Sequence, residues 1–217
     1  MRGDRMSAEH LDEEMRDVFQ EIANVAMGRA ADLLARLLNN YVVLPIPVVN
    51  LLERNELKMA LSSLKSVDSV SAVCQGFVGS RISGEALLIF NDTSFQDIAE
   101  LTEFKGDITP DIELELLMDI ANILIGACLK GLTEQLDVSF SQGQPVLLGQ
   151  HLHLQDLVNN QTGNWKRALT IEIPYRLESR NVDCDLLLLF TEDSRRCSKA
   201  KFVSCWSDHV ATAQFSK

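Results

Sequence analysis

Two long stretches of helical periodicity each pair an acid with an asparagine three residues later. The pairs are Glu21-Ile22-Ala23-Asn24 and Asp119-Ile120-Ala121-Asn122. A side-chain amide both donates and accepts a hydrogen bond, so it can orient a water molecule without titrating. A carboxylate beside it can dock on a cation. A spacing of three residues puts the two groups on neighbouring positions of one helix face. Asp17 extends the first pair to an i, i+4, i+7 stripe, and Gly28 is the next residue along it. Val18, Ile22 and Val25 are assigned to the core side, which leaves the polar stripe exposed. A mid-helix glycine costs about 1 kcal/mol against alanine, so Gly28 is expected to admit close approach of a partner backbone. Each asparagine is followed after 22 residues by a proline, Pro47 and Pro145. A lone Glu-x-x-Asn on a helix is ordinarily a solvated face. Its recurrence with the same spacing to proline argues for chemistry, because an exposed asparagine has no packing reason to recur.

Other chemistries find no matching pattern. There is no Cys-x5-Arg loop and no Gly-rich phosphate loop. His151 and His153 can share a strand face but have no third ligand, so they are assigned a surface or loop role and no metal site is proposed. No Ser–His–Asp set can be assigned from sequence order.

The elements that must position the pairs follow from periodicity. Apolar residues recur at helical spacing from Leu11 to Leu38 (Met15, Val18, Phe19, Ile22, Val25, Ala26, Ala30, Leu33, Leu34, Leu37, Leu38), which predicts a long amphipathic helix ended by Asn39 and Asn40. Tyr41–Val49 reads as an extended edge segment broken by Pro45 and Pro47. A helix is expected over Leu51–Leu64, strands over Val70–Val78 and Glu85–Phe90, and a helix capped by Thr93 or Ser94. Thr109-Pro110-Asp111 opens a second long helix, with Pro110 at its first position and Asp111, Glu113 and Glu115 at the positive end of its dipole. A strand region follows around Pro145–Leu154, then a polar loop over Asn159–Asn164. Ala168–Tyr175 and Asp183–Phe190 read as two further strands.

A shift of 98 residues places Glu21–Asn24 on Asp119–Asn122, Gly28 on Gly126, Leu34 on Leu132, Leu38 on Leu136 and Pro47-Val48 on Pro145-Val146. A shared apolar pattern alone would not align the polar Asn, the Gly and the Pro together. The expectation is an internally duplicated α+β domain over 1–194, with repeats at about 11–107 and 108–194 and a pseudo-two-fold axis. The remaining 195–217 reads as an irregular C-terminal tail.

The 217 residues are 46% hydrophobic, enough for a sizeable core. The net charge of −11 disfavours nucleic acid and anionic membranes, whose recognition depends on Lys and Arg. Met1–Met15 is charged and lacks an apolar h-region, so no signal peptide is expected. No apolar run is long enough to span a bilayer. Five cysteines, odd in number and without a C-x-x-C, suggest reduced thiols in a cytoplasmic protein. Cys128 and Cys184 are expected to be small core residues.

The acid–Asn spacing resembles that of the CheC-type phosphatases of bacterial chemotaxis and their relatives CheX and FliY, which carry (Asp/Ser)-x3-Glu-x2-Asn-x22-Pro. Asp17-x3-Glu21-x2-Asn24-x22-Pro47 matches at every fixed position. Glu115-x3-Asp119-x2-Asn122-x22-Pro145 matches at Asn and Pro and departs at both acids. The resemblance implies two long helices packed on a largely antiparallel sheet. It also implies dephosphorylation of the phospho-aspartyl response regulator CheY. Asn24 and Asn122 would orient the attacking water, and Glu21 and Asp119 would dock the regulator. The protein would need no cofactor of its own, Mg2+ being supplied by the regulator. The receptor deamidase CheD is a second candidate partner, and a monomer is the simplest oligomeric state. Asp119 is one methylene shorter than Glu, which makes Glu21/Asn24 the stronger site. The other class is a non-catalytic adaptor, since flagellar switch components such as FliM resemble CheC without the catalytic pair.

Overall fold

The structure is a computed structural model and describes residues 11, 13–63, 69–79, 82–154, 156, 167–177 and 180–191, the side chains of 60–63 excepted. The polar loop at 159–164 and the tail at 195–217 lie outside the described residues. In chain order the elements are α1 (Glu13–Leu38), β1 (Val42–Val43), β2 (Val48–Glu53), α2 (Arg54–Ser63), β3 (Val70–Val78), β4 (Ser83–Asn91), α3 (Ser94–Leu101), α4 (Pro110–Leu136), β5 (Ser141–Gln142), β6 (Val146–Leu152), β7 (Arg167–Leu177) and β8 (Asp183–Thr191).

Local chemistry explains most boundaries. Asn39 adopts φ 46° just past α1, the left-handed conformation that asparagine tolerates at a helix end. Thr109 is extended (φ −96°, ψ 161°), and its hydroxyl accepts from the backbone N–H of Ile112 ahead of Pro110. α3 starts differently from the expected cap. Thr93 makes no side-chain cap, and its N–H and hydroxyl both donate to Asn91 Oδ1 instead. The helix expected from Leu51 also begins later. β2 runs on to Glu53 because Leu51, Leu52 and Glu53 pair with Leu169, Ala168 and Arg167 of β7. Strand pairing there overrides local helical pattern. The Glu53 N–H then donates to Glu56 Oε2 (2.7 Å), which satisfies a backbone donor at the start of α2.

All strand neighbours are antiparallel, in the order β1-β7-β8-β4-β3-β5, with β2 also on β7 and β6 also on β3. The short strands β1 and β2 thus pair with a long strand late in the chain, and β5 and β6 with one early in it. Alternation sorts side chains to two faces. Ala86, Leu88 and Phe90 of β4 and Leu186, Leu188 and Phe190 of β8 join the main core with α1, α3 and α4. Leu87, Ile89, Leu187 and Leu189 face the other way, where Leu57 of α2 covers them. Cover on both faces is why β4 and β8 read as continuous apolar runs. Phe77 anchors the main core, with edge-on contacts to Phe140 and Phe190 at 5.4 and 5.2 Å between centroids.

α1 and α4 lie against each other at a small-residue crossing. A Cβ added to Gly131 would fall 2.6 Å from Ala26 Cα. Arg29 of α1 also forms an ion pair with Glu134 of α4. Among the described residues, no helix is long and apolar enough to cross a membrane.

Candidate functional site

α1 buries Phe19, Ala23, Ala26, Met27, Ala30 and Leu34. That stripe leaves Asp17, Glu21 and Asn24 exposed on the opposite side. Val18 and Ile22 are half-buried against the core. Val25 is not on the core side, at 36% exposure. It follows Asn24 directly and stands four residues after Glu21, so it borders the polar stripe and gives it an apolar rim. Leu33 and Leu37, also in the helical pattern, are exposed as well.

α4 repeats the arrangement. Leu117, Ile120, Ala121 and Leu124 are buried, and Glu115, Asp119 and Asn122 are exposed. Among the described residues, the side chains of Asp17, Glu21, Asn24, Glu115, Asp119 and Asn122 make no hydrogen bond or ion pair with the protein. Their hydrogen-bonding capacity is therefore free for an external group. Gly28 and Gly126 sit half-buried on their helices, and a Cβ at either would meet nothing within 4 Å. Internal packing gives neither position a reason to be glycine, unlike Gly131.

The prolines differ between the halves. Pro47 is buried and Pro145 is half-buried. Gln20, next to Glu21, donates from Nε2 to the Pro47 carbonyl (3.0 Å), tying the segment before β2 to the turn of α1 that bears the acid–Asn pair. The position equivalent to Gln20 in α4 is Met118, packed against the core. Gln150 instead donates to the Pro110 carbonyl (3.1 Å), at the start of α4.

Sequence reasoning missed a second cluster. His151 adopts φ 54° in β6, where the β3–β6 register shifts. Its Nδ1 lies 2.9 Å from Asp92 and its Nε2 2.9 Å from Glu113. The hydrogen bond to Asp92 raises the imidazole pKa, and Glu113 adds to this, while desolvation opposes it. Ser71 donates to Asp92 (2.6 Å), and Ser69 bonds the same carboxylate. His151 is at the surface as expected, and from there it fastens β6 to the end of β4 and the first turn of α4. No local pattern announces it, because its partners come from distant parts of the chain.

Among the described residues, no reactive thiol and no metal cluster competes with the asparagine pairs. Cys128 and Cys184 are free and buried, and burial pushes the Cys128 thiol up to about 12 and the Cys184 thiol well above its usual value. Such thiols stay protonated and inert. Among the described residues, no group of three or more His, Cys, Asp or Glu is arranged to hold a metal.

No protein-family model and no curated protein sequence matches the chain. Solved structures do match it. FliY from Thermotoga maritima aligns over 94% of this chain and 98% of its own, with a TM-score of 0.64 and 18% identity. CheX in the CheX–CheY–BeF3–Mg2+ complex from Borrelia burgdorferi aligns over 79% of this chain and 97% of its own, at TM-score 0.50 and 17% identity. The FliM middle domain from Vibrio alginolyticus aligns over 80% of this chain and 93% of its own, at TM-score 0.54 and 12% identity. The chain therefore has the α+β fold that CheX, FliY and the FliM middle domain share.

Proposed function

We propose that this chain is a CheC-type phosphatase that acts on the phospho-aspartyl form of CheY through Glu21/Asn24 and Asp119/Asn122. Its two halves are read as copies related by a pseudo-two-fold axis, so one chain carries both sites. The observation that carries the proposal is the placement of two free acid–Asn pairs on the open faces of α1 and α4, in a fold shared with a CheX that is complexed with CheY.

The chemistry asks little of the protein beyond position. Asn24 holds a water in line with phosphorus, donating with its N–H or accepting with its carbonyl. Water adds to phosphorus, the bond from phosphorus to the regulator's aspartate oxygen breaks, and aspartate and inorganic phosphate remain. Glu21 fixes the docking through a lysine of the regulator. The regulator brings its own Mg2+. Positioning of this kind is worth several orders of magnitude in rate. The open space above Gly28 and Gly126 leaves room for the regulator's backbone.

The likeness to the FliM middle domain supports a second reading, a docking module without catalysis. Phosphate release from phosphorylated CheY separates the two. The chain is expected to speed release, and the Asn24→Ala/Asn122→Ala double variant to return it to the regulator's intrinsic rate. Undiminished release by the double variant would sink the enzymatic reading.

A further inference from the structure

We infer that Gln20 is a positioning residue for the Glu21/Asn24 site, acting through its hydrogen bond to Pro47. The inference rests on the phosphatase reading above and adds to it a residue outside the four-position pattern.

Three observations carry it. First, Gln20 stands three residues after Asp17 and four before Asn24, so it is a surface neighbour of both on α1. Second, its Nε2 donates to the Pro47 carbonyl at 3.0 Å in a partly buried setting. Third, the segment it holds is otherwise open. Leu44 and Ile46 lie between β1 and β2 without strand pairing, and Ile46 is 72% exposed. Pro47 alone in that segment is buried. The bond therefore sets a fixed wall beside the turn that carries Asn24, and a fixed wall narrows the positions that the amide can take. A displacement of about 1 Å in a positioned group costs about a hundredfold in rate.

The second half lacks this bond. Met118 occupies the equivalent place on α4, half-buried against the core. The glutamine bond that half does have ties β6 to Pro110. Pro110 precedes Asp119 by nine residues, roughly 13 Å along a helix. The Asp119/Asn122 site thus differs from the first by a missing strap as well as by a shorter acid.

The test uses the full chain carrying Asn122→Ala, so that only the first site is read. Gln20→Met keeps side-chain length and removes the donor. Gln20→Lys restores a donor that reaches the Pro47 carbonyl. Gln20→Met is expected to lower kcat for phosphate release about tenfold, with KM for phosphorylated CheY changed less than about twofold. Gln20→Lys is expected to recover most of kcat. An unchanged kcat in Gln20→Met, a loss confined to KM, or failure of Gln20→Lys to recover activity would overturn the inference. The NMR signal of the Asn24 side-chain amide gives a readout independent of activity. Gln20→Met is expected to shift and broaden it while the remaining amide spectrum is retained. If the protein without Gln20 changes releases no phosphate, the phosphatase reading fails. The Asn24 signal then still decides this inference, and an unmoved signal overturns it.

Discussion

Carboxylates in this chain fall into two environments with opposite consequences. Glu21 and Asp119 stand on open helix faces with no partner among the described residues, available to a docking cation. Asp185 is held within β8, between Ile89 of β4 and Pro174 of β7. Burial pushes its carboxyl up to about 6 from an ordinary 3.8, with repulsion from Asp183 and Glu172 adding to the shift and Arg176 opposing it. A carboxyl whose folded pKa lies above its unfolded value binds its proton more tightly in the native state. Its penalty is therefore absent below pH 3.8, grows as pH rises toward 6, and is full above that. Asp185→Asn is expected to stabilise the fold by about 1–3 kcal/mol at neutral pH, with the gain shrinking as the pH falls below about 6 and absent below 3.8. Urea unfolding at several pH values measures this, and a pH-independent gain would contradict the assignment. The exposure of Asp17, Glu21 and Asn24 was legible in the sequence, because three residues on one helix need only the helical period. The Gln20–Pro47 bond and the His151 clamp were not, because each joins residues that only the fold brings together.

Helices and strands differ in how much of their boundaries the local sequence carries. Thr109-Pro110 announces α4 with a cap and a preset φ, and both act there. The β2–α2 boundary is set by pairing with β7, which no window of residues 51–64 contains. Val25 was misassigned because three adjacent apolar residues at helical spacing cannot all face inward around a stripe centred on Ala23 and Ala26. Glycines on the helices separate packing from docking in the same way. Gly131 is enforced by Ala26 across the α1–α4 crossing, so Gly131→Ala is expected to destabilise by about 1–3 kcal/mol. Gly28 has open space, so Gly28→Ala is expected to stabilise by about 0.5–1 kcal/mol while weakening binding to phosphorylated CheY. Urea midpoints and a binding titration check the pair. A Gly28→Ala variant that binds the regulator unchanged would remove the docking role of that position.

At the scale of the whole molecule, most strands could be read from apolar runs and turn residues, and the α+β arrangement chiefly from the family resemblance. The strand order could not. β1 and β2 lie on β7, and β5 and β6 on β3, so pairing partners are more than 60 residues apart in each case. The cover of α2 over the second sheet face likewise depends on where the chain returns. α1 and α4 come out of this topology packed together with their acid–Asn pairs on open faces. These pairs are expected to be two unequal sites of one activity. The most direct measurement is the rate of phosphate release from phosphorylated CheY with the unaltered chain, Asn24→Ala, Asn122→Ala and the double variant. Asn24→Ala is expected to cause a larger loss than Asn122→Ala, and the double variant to leave release at the regulator's intrinsic rate. Release by the double variant equal to that of the unaltered chain would contradict that expectation.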